Sequence, residues 1–188
     1  MKILEEVRKI ALEEIEKTGL PPRILFDVAE RKTEELAEKL GADKTIALVG
    51  YCLMDLKLGK AAEEGKLEEH VEMSSQAAKE FLEKFDLDEK TKNKIINCVE
   101  AHHGAVPFAC KEAEICANAD VYKFIHPKAF FAFMMTLGKR EMGFDEALDY
   151  AEFKLDEKYK ILSLDICKKE LEPFYRHLKE LVRTAREF

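Results

Sequence analysis

The sequence contains no tryptophan, only eight glycines and five prolines, and no apolar run that approaches the roughly 20 residues of a membrane span. Its first residues, MKILEEVRKI, carry glutamates within the apolar stretch, which is not the pattern of a secretory signal peptide. The five cysteines are odd in number and scattered, which argues against a disulfide framework. We therefore expect a protein of the reducing cytoplasm, without a membrane anchor.

An excess of positive charge is also absent, because the net charge of the 188 residues is −7 at pH 7. A general electrostatic attraction to nucleic acid or to anionic membranes is therefore not expected. Hydrophobic residues make up 47% of the chain and charged residues 37%, a balance typical of a globular protein rather than a disordered one. The length fits one domain, residues 1–188, with a substantial core.

Alternating β-branched patterns are nearly absent, and the apolar residues recur instead at three- and four-residue steps. This pattern predicts an all-α helical bundle. Asp43 and Asp88 are expected to cap the third and fifth helices, and the segment between Gly59 and Gly65 is expected to be a loop. The last helix is expected to kink at Pro173. The longer helices are predicted at about residues 23–40, 67–85, 109–125, 144–162 and 165–186.

Ionisable side chains interrupt several of these apolar stripes. Asp55 and Asp120 each lie about one helical turn from apolar residues of their own stripe. His70 begins the inward stripe of the fourth helix, and His102 and His103 close the fifth helix at its buried edge. A lone buried carboxylate costs several kcal/mol unless it is paired, protonated or bound to a metal. These inward positions therefore need partners.

Each of these residues has an ordinary structural interpretation when it is taken alone. A histidine on an apolar stripe is often a hydrogen-bonded core residue, and an inward aspartate is often a helix cap or an ion-pair partner. Two aspartates and three histidines on four consecutive core helices, however, together match a set of metal ligands. Imidazole with carboxylate suits zinc, iron, manganese or nickel. The combination therefore favours one site for a divalent transition metal, of unknown identity.

The order and spacing of these residues resemble the HD domain superfamily of metal-dependent phosphohydrolases. The segment ALVGYCLMD, residues 47–55, is similar to the His-Asp helix of that family. His70 matches the next family histidine, His102-His103-Gly104 the His-His step, and Ala119-Asp120 the final aspartate. The resemblance covers roughly residues 23–125, and helices over about 127–188 look like the tails of small stand-alone HD proteins, packed on that core.

The sequence departs from the family pattern at two positions. Met54 stands where the family has the histidine of its His-Asp pair, and Leu25 stands near the first family histidine. The resemblance implies two metal half-sites, of which one has lost both histidines and keeps only its aspartates. The thioether of Met54 is a weak ligand for the ions expected here. The half-site that is complete consists of Asp55, His70, His102 and His103.

The resemblance implies hydrolysis of a small phosphorylated or nucleotide-like molecule, with one divalent ion and a second ion left open. Lys123 lies one turn after Asp120 and could supply the charge of a lost ion, although a solvated surface lysine or an ion-pair partner is the simpler interpretation. Asp120 could act as a general base or accept a hydrogen bond. The predicted catalytic residues are Asp55, Asp120 and Lys123. The predicted metal ligands are Asp55, His70, His102, His103 and Asp120.

Two alternatives stay open. The missing histidines at positions 25 and 54 are also expected of a degenerate, non-catalytic HD domain that binds a ligand or a partner. More simply, the inward histidines could be hydrogen-bonded core residues. The phenylalanine- and methionine-rich segment is interpreted as core, with a homodimer face or an apolar substrate wall as the alternatives; it consists of Phe124, Phe130, Phe131, Phe133, Met134 and Met135.

Overall fold

The computed structural model describes residues 2–139 and 142–187. These residues form ten α-helices and a short 3-10 turn at Leu67–Glu69, and they contain no β-strand. The all-α prediction is therefore confirmed. The helices are α1 Lys2–Thr18, α2 Arg23–Leu40, α3 Lys44–Met54, α4 Leu58–Glu63, α5 His70–Leu82, α6 Glu89–Glu100, α7 Lys111–Ile125, α8 Pro127–Lys139, α9 Phe144–Tyr159 and α10 Asp165–Ala185.

The helix ends follow local sequence signals. The Asp43 carboxylate accepts hydrogen bonds from the backbone N–H groups of Thr45 and Ile46, and it thereby caps α3. Asp88 caps α6 in the same way. Both predicted caps are therefore confirmed. Helix α2 ends at Gly41, whose φ of 62° is the left-handed conformation that glycine adopts most easily.

The predicted loop between Gly59 and Gly65 is wrong over most of its length, because residues 59–63 belong to the short helix α4. Gly59 lies directly against Thr18 of α1, where an added Cβ would come within 2.1 Å of the threonine Oγ1. The missing side chain therefore serves close packing of two helices rather than a turn. Pro173 lies inside α10, which continues on both sides of it.

Two groups of buried apolar side chains form the core. One joins α1, α3, α5 and α6, and the other joins α2 and α7 with the C-terminal helices α8, α9 and α10. Helix α7 contributes to both groups and is buried along most of its length. Since α7 carries both Asp120 and Lys123, these charges lie inside the molecule, where they need partners.

Three further expectations concern the surface and the cysteines. All five cysteines are free thiols, four of them buried. No helix in the described ranges has the length and apolar character to cross a membrane. Phe130 and Phe133 of the aromatic segment are buried in the core, whereas Phe131 and Met135 are exposed on α8. The homodimer face stays a prediction.

Candidate metal centre

Three histidine side chains converge between the start of α5 and the end of α6. His70 is the first residue of α5, and His102 and His103 lie in the turn that follows α6. One potential ligand nitrogen from each ring lies within 4.8 Å of the other two. The His102 and His103 rings are 4.2 Å apart at their centroids, and His70 and His103 are 5.1 Å apart. The structure therefore brings together the three histidines that the sequence pattern singled out.

Backbone contacts define the protonation of two of these rings. The Nδ1 atoms of His70 and His102 each lie 2.6 Å from the carbonyl oxygen three residues earlier, at Leu67 and Val99. A carbonyl can only accept a hydrogen bond, so Nδ1 of each ring carries a proton, and in the neutral ring Nε2 presents a lone pair. The Nε2 atom of His102 is buried and has no hydrogen-bond partner. Imidazoles held in this way by their second nitrogen are typical of metal ligands.

Asp55 faces the same point from the end of α3. Its Oδ1 atom lies 3.7 Å from Nε2 of His70 and 3.6 Å from Nε2 of His102. Ligand atoms that share an ion at about 2.1 Å lie roughly 3.4 Å apart in a tetrahedral arrangement, so these separations fit a common ion. Burial alone raises the pKa of the Asp55 carboxyl, but the Lys123 ammonium beside it holds that pKa well below its usual range.

The imidazoles are in the form that binds metals. Burial lowers the pKa of His70, and burial together with the neighbouring His102 and Lys158 lowers the pKa of His103 to about 2. Both rings are therefore neutral at physiological pH and keep a lone pair available. Nitrogens of the three imidazoles and an oxygen of Asp55 thus face one another. This donor set fits a divalent transition metal held by Asp55, His70, His102 and His103.

Lys123 connects the two predicted aspartates. Its Nζ atom donates to Oδ2 of Asp55 at 2.5 Å and lies 2.9 Å from Oδ1 of Asp120. The other oxygen of Asp120 accepts from Nζ of Lys158 at 2.6 Å. Lys123 is 2% exposed, so it is an ion-pair partner and not a solvated surface lysine. Asp120 meets these two ammoniums rather than the three histidines.

The charges in this network stabilise one another. Burial alone raises the pKa of Asp120, but the Lys123 and Lys158 ammoniums hold it far below its usual range. Burial likewise lowers the pKa of Lys123, yet Asp120 and Asp55 hold it well above the ordinary value. Asp120 and Lys123 are therefore both charged in the folded protein. Asp120 is correspondingly a weak base.

A cavity of about 130 Å³ lies beside these residues. Its polar lining residues are Asp55, His70, His103, Asp120, Lys123, Lys154 and Lys158. Its apolar and aromatic lining residues include Leu20, Pro21, Leu25, Phe124, Phe133 and Tyr150. Phe124 and Phe133 thus line the cavity, and the apolar substrate wall considered for the aromatic segment stays a prediction.

The two positions that depart from the family pattern have different surroundings. Leu25 lines the cavity with an apolar side chain. Met54 is completely buried and packs in the core group of α1, α3, α5 and α6. Neither side chain offers a ligand to the ions expected here.

The sequence interpretation missed Lys158, which lies 38 positions from Asp120 along the chain. A signal was present, because Ala151, Leu155 and Lys158 follow one another at helical spacing on the buried face of α9. A fully buried lysine on such a stripe requires a carboxylate partner, and the unexplained Asp120 was available.

Comparisons with known proteins agree with the helical architecture. No family model matches this sequence. Over 94 residues the chain is 38% identical to ribonuclease Y of Finegoldia magna, a match that covers 50% of this chain and 16% of that protein. The fold is similar to the crystal structure of a predicted HD superfamily hydrolase from an uncultured Thermotogales bacterium. The two structures share a TM-score of 0.65 over 97% of this chain and 91% of the other, at 16% sequence identity. The predicted resemblance to the HD domain superfamily is confirmed at the level of the fold.

Proposed function

We propose that this protein is a metal-dependent phosphohydrolase that acts on a small phosphorylated molecule. The observation that carries the proposal is the convergence of three imidazoles around the buried, unpartnered Nε2 atom of His102. The residues that would hold a divalent ion are Asp55, His70, His102 and His103. An ion at that point supplies Lewis acidity, which activates water toward attack on a phosphoryl group.

The surrounding charges suit a phosphate group. The carboxylates of Asp55 and Asp120 are balanced by the ammoniums of Lys123 and Lys158, so the protein side chains at the centre sum to about zero charge. The positive charge of the ion is then available to an anionic substrate. Asp120 holds both ammoniums in place, and its strong ion pairs argue for this positioning role over that of a general base.

The cavity also supports a preference for the rest of the substrate. Phosphate would lie near the lining ammoniums and the proposed ion, and the remaining group would lie against Phe124, Phe133 and Tyr150. Aromatic walls of this kind favour a planar or apolar group, such as the base of a nucleotide. The name of ribonuclease Y points to RNA as a substrate of that relative. The net charge of −7 favours a small molecule for this chain.

The second candidate function is that of a non-catalytic HD domain that binds a ligand or a partner. Met54, Leu25 and the ion pairs of Lys123 favour it, because together they leave no second half-site for an ion. The two candidates differ in turnover. Both keep the histidine cluster, so metal binding by itself does not separate them.

The experiment combines metal analysis with a substrate panel. Protein purified without chelators and reconstituted separately with manganese, iron, zinc and nickel is expected to hold one ion per chain. A panel of nucleoside monophosphates, aryl and sugar phosphates and a short RNA should show metal-dependent phosphate release from a small phosphoester. His102→Ala should weaken metal binding by at least about 10-fold and abolish turnover, since even the outer partners of metal ligands have effects of that size.

The matched control is His177→Ala, because His177 is exposed on α10, away from the cavity. That variant should keep full metal content and activity. Metal binding without turnover of any phosphoester would favour the non-catalytic candidate. Protein that cannot be reconstituted with any of the four metals would contradict the metal-dependent phosphohydrolase.

A further inference from the structure

Two carboxylates point toward each other in the cavity wall, and a single ammonium lies between them. Lys123 reaches Oδ2 of Asp55 at 2.5 Å and Oδ1 of Asp120 at 2.9 Å. The side chains of Lys123 and Asp120 are each 3% exposed, and that of Asp55 is 14% exposed. Without a cation between them, two carboxylates in this position would repel each other strongly. The position of Nζ is therefore one that requires a positive charge.

Carboxylate oxygens in such an arrangement are also ligands for hard divalent cations. Asp55 has one oxygen toward Lys123 and the other toward His70 and His102, so it borders both positions. The Lys123 ammonium also lies 5.4 Å from the centroid of the Tyr51 ring. Its partner Asp120 is in turn fixed by the ion pair with Lys158. Lys123 thus occupies a defined cation position next to the proposed metal.

We propose that Lys123 replaces a second divalent ion, so that the site binds a single metal ion and the ammonium fills the second cation position. The inference rests on the proposed function only in taking the histidine side of Asp55 as the first metal position. The ammonium supplies a fixed positive charge beside that position without dependence on a second metal. The alternative is that Lys123 is only a structural ion-pair partner at a place unsuited to an ion.

The two interpretations differ in what happens when the ammonium is removed. Lys123→Ala leaves Oδ2 of Asp55 and Oδ1 of Asp120 facing each other across a space with no cation. If this is a cation position, the variant should bind one divalent ion more than the parent chain. If Lys123 is structural, the variant should lose stability and gain no ion.

The test is metal stoichiometry, measured by elemental analysis after equilibrium dialysis against Mn²⁺, with electron paramagnetic resonance as a second readout. The parent chain is expected to bind one ion, and Lys123→Ala two ions with a spin-coupled manganese signal. Lys123→Ala with Asp120→Asn should return to one ion, because the added site has lost a carboxylate. Lys158→Met is the matched control and should stay at one ion, since Lys123 still separates the two aspartates.

Gain of one ion relative to the parent chain is the decisive quantity. A parent chain without metal would count against the histidine site, while a Lys123→Ala variant that gains an ion would still support the role of Lys123. A folded Lys123→Ala variant that gains no ion over the dialysis range would overturn the inference. Should that variant fail to fold, Lys123→Ser leaves the same space open, offers the carboxylates a hydroxyl donor and is judged by the same criterion.

Discussion

Replacement of Asp120 by asparagine should be among the most destabilising single-atom changes in this protein. Asp120 and Lys158 are 2% and 1% exposed, and their side chains meet at 2.6 Å. Among the described residues, Lys158 has no other carboxylate within ion-pair distance, whereas Lys123 keeps Asp55. Asp120→Asn therefore leaves a buried ammonium with no opposing charge.

Breaking a buried ion pair on one side costs about 3–5 kcal/mol of unfolding free energy. The amide oxygen of the new asparagine can still accept one hydrogen bond, so we expect the lower end, about 3 kcal/mol. In a chain of this length that corresponds to a fall in Tm of roughly 6–12 °C. The assay is urea denaturation followed by circular dichroism, with chelator present so that metal binding does not contribute.

The matched control is Asp27→Asn, because Asp27 pairs with Arg23 on the surface, with the two side chains about half exposed. That change should cost less than about 1 kcal/mol. The double variant Asp120→Asn with Lys158→Met should be less destabilised than the sum of the single variants, by at least about 1 kcal/mol. A cost for Asp120→Asn similar to that of the surface control, or strict additivity of the pair, would refute the buried network.

Two other predictions concern packing and pH. Gly50→Ala should lower the free energy of unfolding by about 1–3 kcal/mol, because the new Cβ would lie 2.3 Å from Cβ of Cys98. In the control Gly138→Ala the new Cβ meets no atom within 4 Å, so that change should be neutral or stabilising. Urea denaturation of both variants measures the difference. Burial lowers the pKa of His103 to about 2. As the pH falls through about 6.5, this residue therefore becomes protonated in the unfolded chain but stays neutral in the folded chain. Stability of the metal-free protein should therefore be complete above that pH and fall below it, by up to about 1.4 kcal/mol per pH unit from this residue. His103→Gln should flatten that slope by up to one proton, and an unchanged slope would contradict the assignment.

Much of the fold followed from local patterns. The apolar stripes and the caps at Asp43 and Asp88 act within one or two helical turns, so the sequence alone indicates them. The histidines were recognisable for a related reason. His70 begins a helix and His102-His103 end one, and polar residues at the inner edge of an apolar stripe stand out against it.

What the sequence did not reveal depends on distant contacts. The partners of Asp120 lie on α7 itself and on α9, and only the packing of those helices decides which carboxylate each lysine meets. Helix α4 was missed because its glycine disfavours helix locally, whereas contact with Thr18 of α1 makes the absence of a side chain favourable. In both cases tertiary packing outweighs the local preference.

The most direct test is a crystal structure of the metal-loaded protein, with anomalous diffraction recorded at the absorption edge of the bound ion. The account predicts one strong peak within bonding distance of Nε2 of His70, Nε2 of His102, a ring nitrogen of His103 and Oδ1 of Asp55. Lys123 should stay between the two aspartates in that structure. A peak between Asp55 and Asp120 with Lys123 displaced, or no peak and a water on Nε2 of His102, would contradict it.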